Sequence, residues 1–211
     1  MDHYKNTFQI WNQLASKYED KFMDLDLYND TYDFFCEQIK KSNATIFEIG
    51  CGPGNITKYL LSKRPDFKIT ATDVAPNMVE SAQRNNPSAI CKVMDCREMD
   101  TVTEKFDGVV CGFCMPYLSK EDCQKLIADS ARVLNDSGVI YFSAIEGDYE
   151  KSNYETSSDG QNTMFVYLHQ EDYLRGFLLQ NGFEIIAIER KTYPKNDQVG
   201  IHLILIAKKK T

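Results

Sequence analysis

Hydrophobic positions recur along this chain at two spacings, and the change between them divides it. Within residues 3–41, Phe8, Trp11, Leu14, Ala15 and Tyr18 fall three or four apart, the period of one helix face. A second helix is predicted over about 29–41, with Tyr32, Phe35, Cys36 and Ile39 on one side and residues 24–28 as the break before it. From Thr45 the apolar positions collapse into short runs. Residues 45–50 form such a run ending in glycine, which suits a buried strand. Helices are then predicted at 55–62, stopped before Pro65, and at 76–85, with proline in the first turn. Strands are predicted at 68–73, 90–95 and 106–113. A helix over 120–134 ends in the turn Asn135-Asp136-Ser137-Gly138, and a strand follows at 139–145. Polar residues 147–163 predict a loop, 164–168 a short strand, and 171–181 a helix capped by Gly182. Two last strands, 183–193 and 200–208, flank the turn-prone stretch 194–198.

Strands that alternate with helices pair in parallel, because a parallel neighbour needs a crossover. The final two strands are too close in sequence for a crossover and predict an antiparallel hairpin. The fold class is therefore α/β, Rossmann-like, closed by a hairpin. With 211 residues, no Pro/Gly-rich linker and no repeat, the chain reads as one domain, 1–211, with residues 1–41 as a helical lid within it.

Composition narrows the partners. Apolar residues make up 43% and charged residues 26%, the balance of a globular domain. Lys plus Arg number 24 against 31 Asp plus Glu, a net charge of −7 that works against binding a phosphate backbone. The basic run Lys208-Lys209-Lys210 reads as a solvated tail. Seven scattered cysteines lack the spacing of a disulfide framework. No apolar stretch follows Met1, and none approaches the ~20 residues a bilayer requires. The expectation is a cytoplasmic protein with reduced thiols and no membrane partner. Cys111-Gly112-Phe113-Cys114 is a lone CxxC without a second ligand pair, so no metal site is predicted and the thiols read as core residues.

The candidate chemistry begins at Glu48-Ile49-Gly50-Cys51-Gly52-Pro53-Gly54-Asn55, which closes a strand and opens a helix. Glycines there let the backbone turn tightly and approach a ligand. The spacing is G-x-G-x-G, with Asn55 where the third glycine of a dinucleotide fingerprint would stand. Asp73 ends the second strand, where a carboxylate can accept both hydroxyls of a ribose or cap the following helix. Asp95 ends the third, where it can accept from an exocyclic amine or hold a turn.

Taken in order, these residues resemble the class I S-adenosylmethionine-dependent methyltransferases of small-molecule type. The resemblance runs from Trp11 to Lys208. It includes Ala15-Ser16-Lys17-Tyr18-Glu19, the glycine motif, Thr72-Asp73-Val74-Ala75-Pro76-Asn77-Met78, Asp95-Cys96-Arg97, Phe106-Asp107-Gly108, Leu134-Asn135-Asp136-Ser137-Gly138 and Leu179-Gln180-Asn181-Gly182-Phe183. The resemblance implies a seven-stranded sheet in the order 3-2-1-4-5-7-6 with the seventh strand antiparallel. It implies S-adenosyl-L-methionine as cofactor and transfer of its methyl group to a small-molecule acceptor by in-line displacement. Gly50, Cys51, Gly52 and Gly54 would form the loop under the methionine part. Asp73 would hold the ribose, Val74 and Met78 would flank the adenine, and Asp95, with Cys96 beside it, would face the adenine amine. The backbone of Gly112 and Phe113 would approach the methionine amino end, and Tyr18 would close over the cofactor.

Departures from related patterns shape the acceptor. Cys114-Met115-Pro116-Tyr117 keeps only the Pro-Tyr of the Asn/Asp-Pro-Pro-Tyr motif of base-amine methyltransferases. The double-Glu loop of arginine methylation is absent, and no histidine stands at 115–117. A general base is needed only if the acceptor loses a proton. The candidates are Tyr117, His169 and Tyr18, with Glu146 and Asp148 as further substrate contacts. Tyr149, Tyr154, Phe165 and Tyr167 either line an aromatic pocket beneath a lid or pack on the sheet. Two other readings stay open: a non-catalytic cofactor-binding or scaffold protein, and a nicotinamide-dependent oxidoreductase.

Overall fold

The computed structural model describes residues 3–156, 160–195 and 198–211. Helix α1 (His3–Phe22) and helix α2 (Asn29–Gln38) precede an alternating series: β1 (Thr45–Ile49), α3 (Asn55–Lys63), β2 (Lys68–Asp73), α4 (Pro76–Asn85), β3 (Ile90–Val93), β4 (Phe106–Cys111), α5 (Lys120–Val133) and β5 (Leu134–Ile145). A small hairpin, β6 (Asn153–Thr156) and β7 (Thr163–Val166), leads to α6 (Glu171–Gln180), β8 (Phe183–Lys195) and β9 (Gln198–Lys209).

The main sheet has seven strands in the order β3-β2-β1-β4-β5-β9-β8. β1 pairs in parallel with β2 and β4, and β9 pairs antiparallel with both β5 and β8. Counting only the strands of this sheet, the order is the expected 3-2-1-4-5-7-6. Two cores follow from the period of two along each strand. Phe47, Val109, Phe142 and Leu205 face α5 and α6. Ile46, Val110, Tyr141 and Ile206, their immediate neighbours, face α2 and α3. Burial on both sides is why these strands are almost continuously apolar.

Helix α1 touches the first core only through Tyr4, at its start. Ala15 packs with Ala75 and Met78 at the start of α4, and Trp11 and Tyr18 lie against this cluster. Polar contacts tie α1 at both ends. Glu19 pairs with Arg84 at 2.7 Å, Asn12 exchanges hydrogen bonds with Asn77, and the Tyr4 hydroxyl donates to Asp122 on α5. The helix thus crosses the carboxyl ends of the parallel strands.

Three expectations need correcting. Residues 147–163 are not a plain loop: Asp148 caps a 3-10 turn at Tyr149–Lys151, and β6 and β7 then pair antiparallel. Met164 and Val166 are buried, so one side of β7 is anchored. Residues 157–159 of that segment lie outside the described residues. Second, β5 takes in the expected turn 135–138, whose register shifts against β4 while Ser137 adopts φ 62°. Third, β3 stops at Val93, and Asp95 caps a 3-10 turn at Cys96–Thr101. Part of the expected final turn, Asn196 and Asp197, lies outside the described residues. All seven cysteines carry free thiols. Among the described residues no helix is long and apolar enough to cross a membrane.

Candidate functional site

The loop between β1 and α3 turns on backbone that glycine tolerates and other residues rarely adopt: φ is 65° at Gly50, 53° at Gly52 and 84° at Gly54. The three glycines serve different ends. A Cβ on Gly50 would stand 3.0 Å from the Cys114 Cβ, so the loop and the end of β4 are in close contact. A Cβ on Gly52 would meet only the Tyr18 ring, at 3.6 Å, so the space above Gly52 is roofed by Tyr18. A Cβ on Gly54 would collide with Asn86 Nδ2 at 2.3 Å, because α4 is pressed against the loop there.

Asp73 holds this loop in place. Its Oδ2 accepts from the Gly52 N–H and its Oδ1 from the Ala75 N–H, both at 2.9 Å. Burial pushes its carboxyl pKa upward against the lowering effect of those N–H groups. Asp95 is also engaged: its Oδ1 accepts from the Arg97 N–H at 2.9 Å, and its Oδ2 pairs with Arg97 Nη2 at 2.6 Å. The Arg97 guanidinium in turn lies 4.1 Å above the Tyr4 ring. On the other side of the loop, Phe113 takes φ 59° and its N–H donates to Ser143 Oγ at 2.9 Å. Cys96 and Cys114 bring their sulfurs to 3.6 Å.

These groups enclose a cleft of about 750 Å³, open solvent at its mouth included. Tyr18, Gly50, Gly52, Asp73, Val74, Met78, Asp95, Cys96, Gly112, Phe113 and Tyr117 all line it. A second cavity of about 950 Å³, its open mouth likewise included, adjoins the first and shares Trp11, Tyr18, Phe113 and Tyr117 with it. Burial pushes the phenols of Tyr18 and Tyr117 well above the usual tyrosine range.

Other expected site residues lie elsewhere. Cys51 is 2% exposed and its side chain joins the core on the α2 and α3 side, so it does not line the cleft. Gly54 packs on α4 instead of facing the cleft, and its carbonyl accepts from Asn86. His169 lines neither cavity. It is fully buried, its Nε2–H donates to the Met115 carbonyl at 2.9 Å, and its Nδ1 accepts from the Tyr173 hydroxyl at 2.7 Å. Burial lowers its pKa, so it is a neutral structural histidine joining α6 to the loop after β4. Glu146 is taken up by Arg190, and Asp148 caps its 3-10 turn. Tyr149 stacks on Tyr167 at 5.9 Å and Tyr154 meets Phe165 at 5.2 Å, so these rings pack on one another.

Sequence reasoning missed Thr7, Phe8, Trp11, Met94, Cys114 and Leu118 as cleft walls. The helical stripe containing Phe8 and Trp11 was the available signal, but periodicity does not say what a helix face covers. Trp11 adds an unusual feature: its buried indole N–H has no hydrogen-bond partner.

A nucleoside cofactor can be tested against these walls. The cleft has a tight glycine turn at its floor, two carboxylates at adjacent strand ends, the apolar side chains of Val74 and Met78 between them, and a ring above Gly52. A carboxylate oxygen carries more than one lone pair, so Asp73 retains acceptor capacity beyond its two backbone bonds. The residues fit a group with a vicinal diol, a planar base and a polar tail.

Known proteins resemble this chain in sequence and in fold. A sequence model of the methyltransferase-domain family matches residues 46–138. The malonyl-acyl-carrier-protein O-methyltransferase of Acetivibrio thermocellus is 31% identical over 127 residues, 56% of this chain and 44% of that protein. The chain thus spans less than half of that relative's length. A tRNA N(3)-methylcytidine methyltransferase of Schizosaccharomyces pombe is 21% identical over 207 residues, 88% of this chain and 83% of that protein. Among solved structures, magnesium protoporphyrin IX methyltransferase from Synechocystis, with bound S-adenosylmethionine, superposes with a TM-score of 0.72 at 17% identity, covering 100% of this chain and 98% of that one. It shares the fold.

Proposed function

We propose that this chain, whose residues 46–138 match a methyltransferase-domain model and whose sheet has the class I strand order, transfers a methyl group from S-adenosyl-L-methionine to a small-molecule acceptor by in-line displacement. The observation that carries the reading is the convergence of the Gly50–Gly52 turn, Asp73 and Asp95 on one cleft at the carboxyl ends of β1, β2 and β3. When bound, S-adenosylmethionine supplies a methyl already activated by a positive sulfur, so holding the reactants in line accounts for much of the acceleration.

Each wall has a task in this reading. The Gly50 and Gly52 backbone takes the amino-acid tail. Asp73 accepts from the ribose hydroxyls, Val74 and Met78 pack on the adenine faces, and Asp95, oriented by Arg97, accepts from the adenine amine. The Phe113 backbone, fixed by Ser143, borders the amino end of the tail. Tyr18 and Trp11, brought over the sheet by α1, exclude water. Tyr117 orients the acceptor through its hydroxyl, because a phenol with a raised pKa is a donor and not a base at neutral pH. Helix α1 serves as the lid, whereas α2, expected to share that role, packs on the face of the sheet. A small acceptor is favoured by the net charge of −7 and by the enclosure of the second cavity beneath α1.

Calorimetric titration with S-adenosylmethionine and S-adenosylhomocysteine, with NADH as control, tests the reading. Both sulfur ligands should bind and NADH should not. Asp73→Ala should weaken both by about 10- to 100-fold, the worth of one or two hydrogen bonds to a charged group. Absence of binding by either ligand would end this reading.

A further inference from the structure

The second cavity has a chemical character of its own. Half of its lining residues are Tyr, Phe or Trp. Tyr28, Tyr32, Phe22 and Tyr193 belong to it alone, whereas Trp11 and Tyr117 also border the cofactor cleft. The rings brace one another. Trp11 sits 5.4 Å from both Tyr18 and Tyr117 in edge-on contact, and Phe113 lies 4.9 Å from Tyr28. The Tyr28 hydroxyl is 2.6 Å from His202 Nδ1, and the His202 ring is stacked on Tyr193 at 5.2 Å. A wall of braced rings presents faces and edges of fixed orientation, which favour a flat π system over a saturated body of equal area.

Trp11, Tyr18, Phe113 and Tyr117 border both cavities, so the chamber adjoins the cofactor cleft along a wall of four rings.

We infer that this aromatic chamber is the acceptor site, and that it takes a planar aromatic molecule. The inference rests on the cofactor reading above. It separates this chain from methyl transfer to a linear acyl chain, for which a wall of braced rings offers no selective contact. Tyr193 is the best single probe of the chamber. It lines the chamber and not the cofactor cleft, and it is partly exposed at the end of β8, so shortening it leaves both cores intact.

The test is calorimetry on protein saturated with S-adenosylhomocysteine, using 2-naphthol, its saturated counterpart decahydro-2-naphthol, and octanoate. We expect 2-naphthol to bind at least about 10-fold more tightly than either other probe, because ring–ring contacts add to what buried area alone gives. Tyr193→Ala should weaken 2-naphthol by about 5- to 10-fold while S-adenosylhomocysteine affinity stays within about twofold. Equal binding of the three probes, no binding of 2-naphthol to the saturated protein, or indifference of its affinity to Tyr193→Ala would each overturn the assignment. If S-adenosylhomocysteine itself fails to bind, the cofactor reading has failed, and that result is distinct from a cofactor-saturated protein that ignores the naphthol.

Discussion

Replacing Glu48 by glutamine should flatten the pH dependence of stability between mildly acidic and mildly alkaline solution. Glu48 lies on β1, fully buried beneath the glycine loop. The Thr57 hydroxyl donates to its Oε2, and its Oε1 has no partner. Burial is the dominant influence and raises its pKa from 4.5 to about 8, with the nearby Asp73 charge adding to the rise. Between these two values the folded protein keeps the proton that the unfolded chain has lost. Folding therefore takes up a proton, and stability falls as pH rises across that window. Each pH unit is worth about 1.4 kcal/mol for a fully displaced group, so the window amounts to at most ~5 kcal/mol. Relaxation and water entry around a buried carboxyl bring the expected loss to ~2–5 kcal/mol. Glutamine cannot ionise, and its amide resembles the protonated acid in size and shape. Urea unfolding of both proteins at about pH 5.5, 7 and 8.5 isolates this group, because every other titration is common to the pair. The stability difference should grow with pH in favour of Glu48→Gln. Parallel profiles would refute the reasoning and show that Glu48 ionises in the fold as it does in the unfolded chain.

Two further substitutions probe residues that sequence and structure place differently. His169→Gln should cost about 1–3 kcal/mol of stability through its buried hydrogen bonds, yet leave S-adenosylhomocysteine affinity unchanged by calorimetry. Because burial lowers the His169 pKa, wild-type stability should fall as pH drops below about 6.5, where only the unfolded chain takes the proton, and the variant should lose that part of the slope. Gly54→Ala combines a φ of 84° with a Cβ that would stand 2.3 Å from Asn86 Nδ2, so a loss of about 2–4 kcal/mol in urea unfolding is expected. A neutral result there would mean that α4 yields easily to the loop.

Much of this architecture is legible from spacing because parallel strands buried on both faces leave apolar runs that few other structures require. The hairpin of β8 and β9 follows from a connection too short for a crossover. The β6–β7 pair escapes the same reading, since Asn153-Tyr154-Glu155-Thr156 is polar and mostly exposed, and only Met164 and Val166 opposite it are buried. At the site, the residues that end strands could be placed because strand ends converge on one edge. Gly54 and Cys51 could not, because contacts with α4 and with the α2–α3 core decide where they face, and both partners are distant in sequence. The stripe of α1 was visible as a face, but its seat above the strand ends depends on Ala15 meeting Ala75 and Met78.

Asp73 shows why one substitution can report on two things at once. Its two oxygens secure Gly52 and Ala75, the floor of the cleft and the entry to α4, before any ligand is present. Its remaining lone pairs are what a ribose would use. Alanine therefore removes both the ribose acceptor and the support of the loop, and a lost affinity alone does not say which mattered. Asparagine separates them. It keeps one oxygen able to accept from one of the two N–H groups, and turns an amine toward the other, so loop support is halved while a neutral acceptor remains. If ribose contact dominates, Asp73→Asn should retain most of the binding enthalpy lost in Asp73→Ala, with thermal stability lowered in both. If loop support dominates, affinity should track the stability of the two variants, and binding should recover in each as temperature is lowered and the turn at Gly52 re-forms.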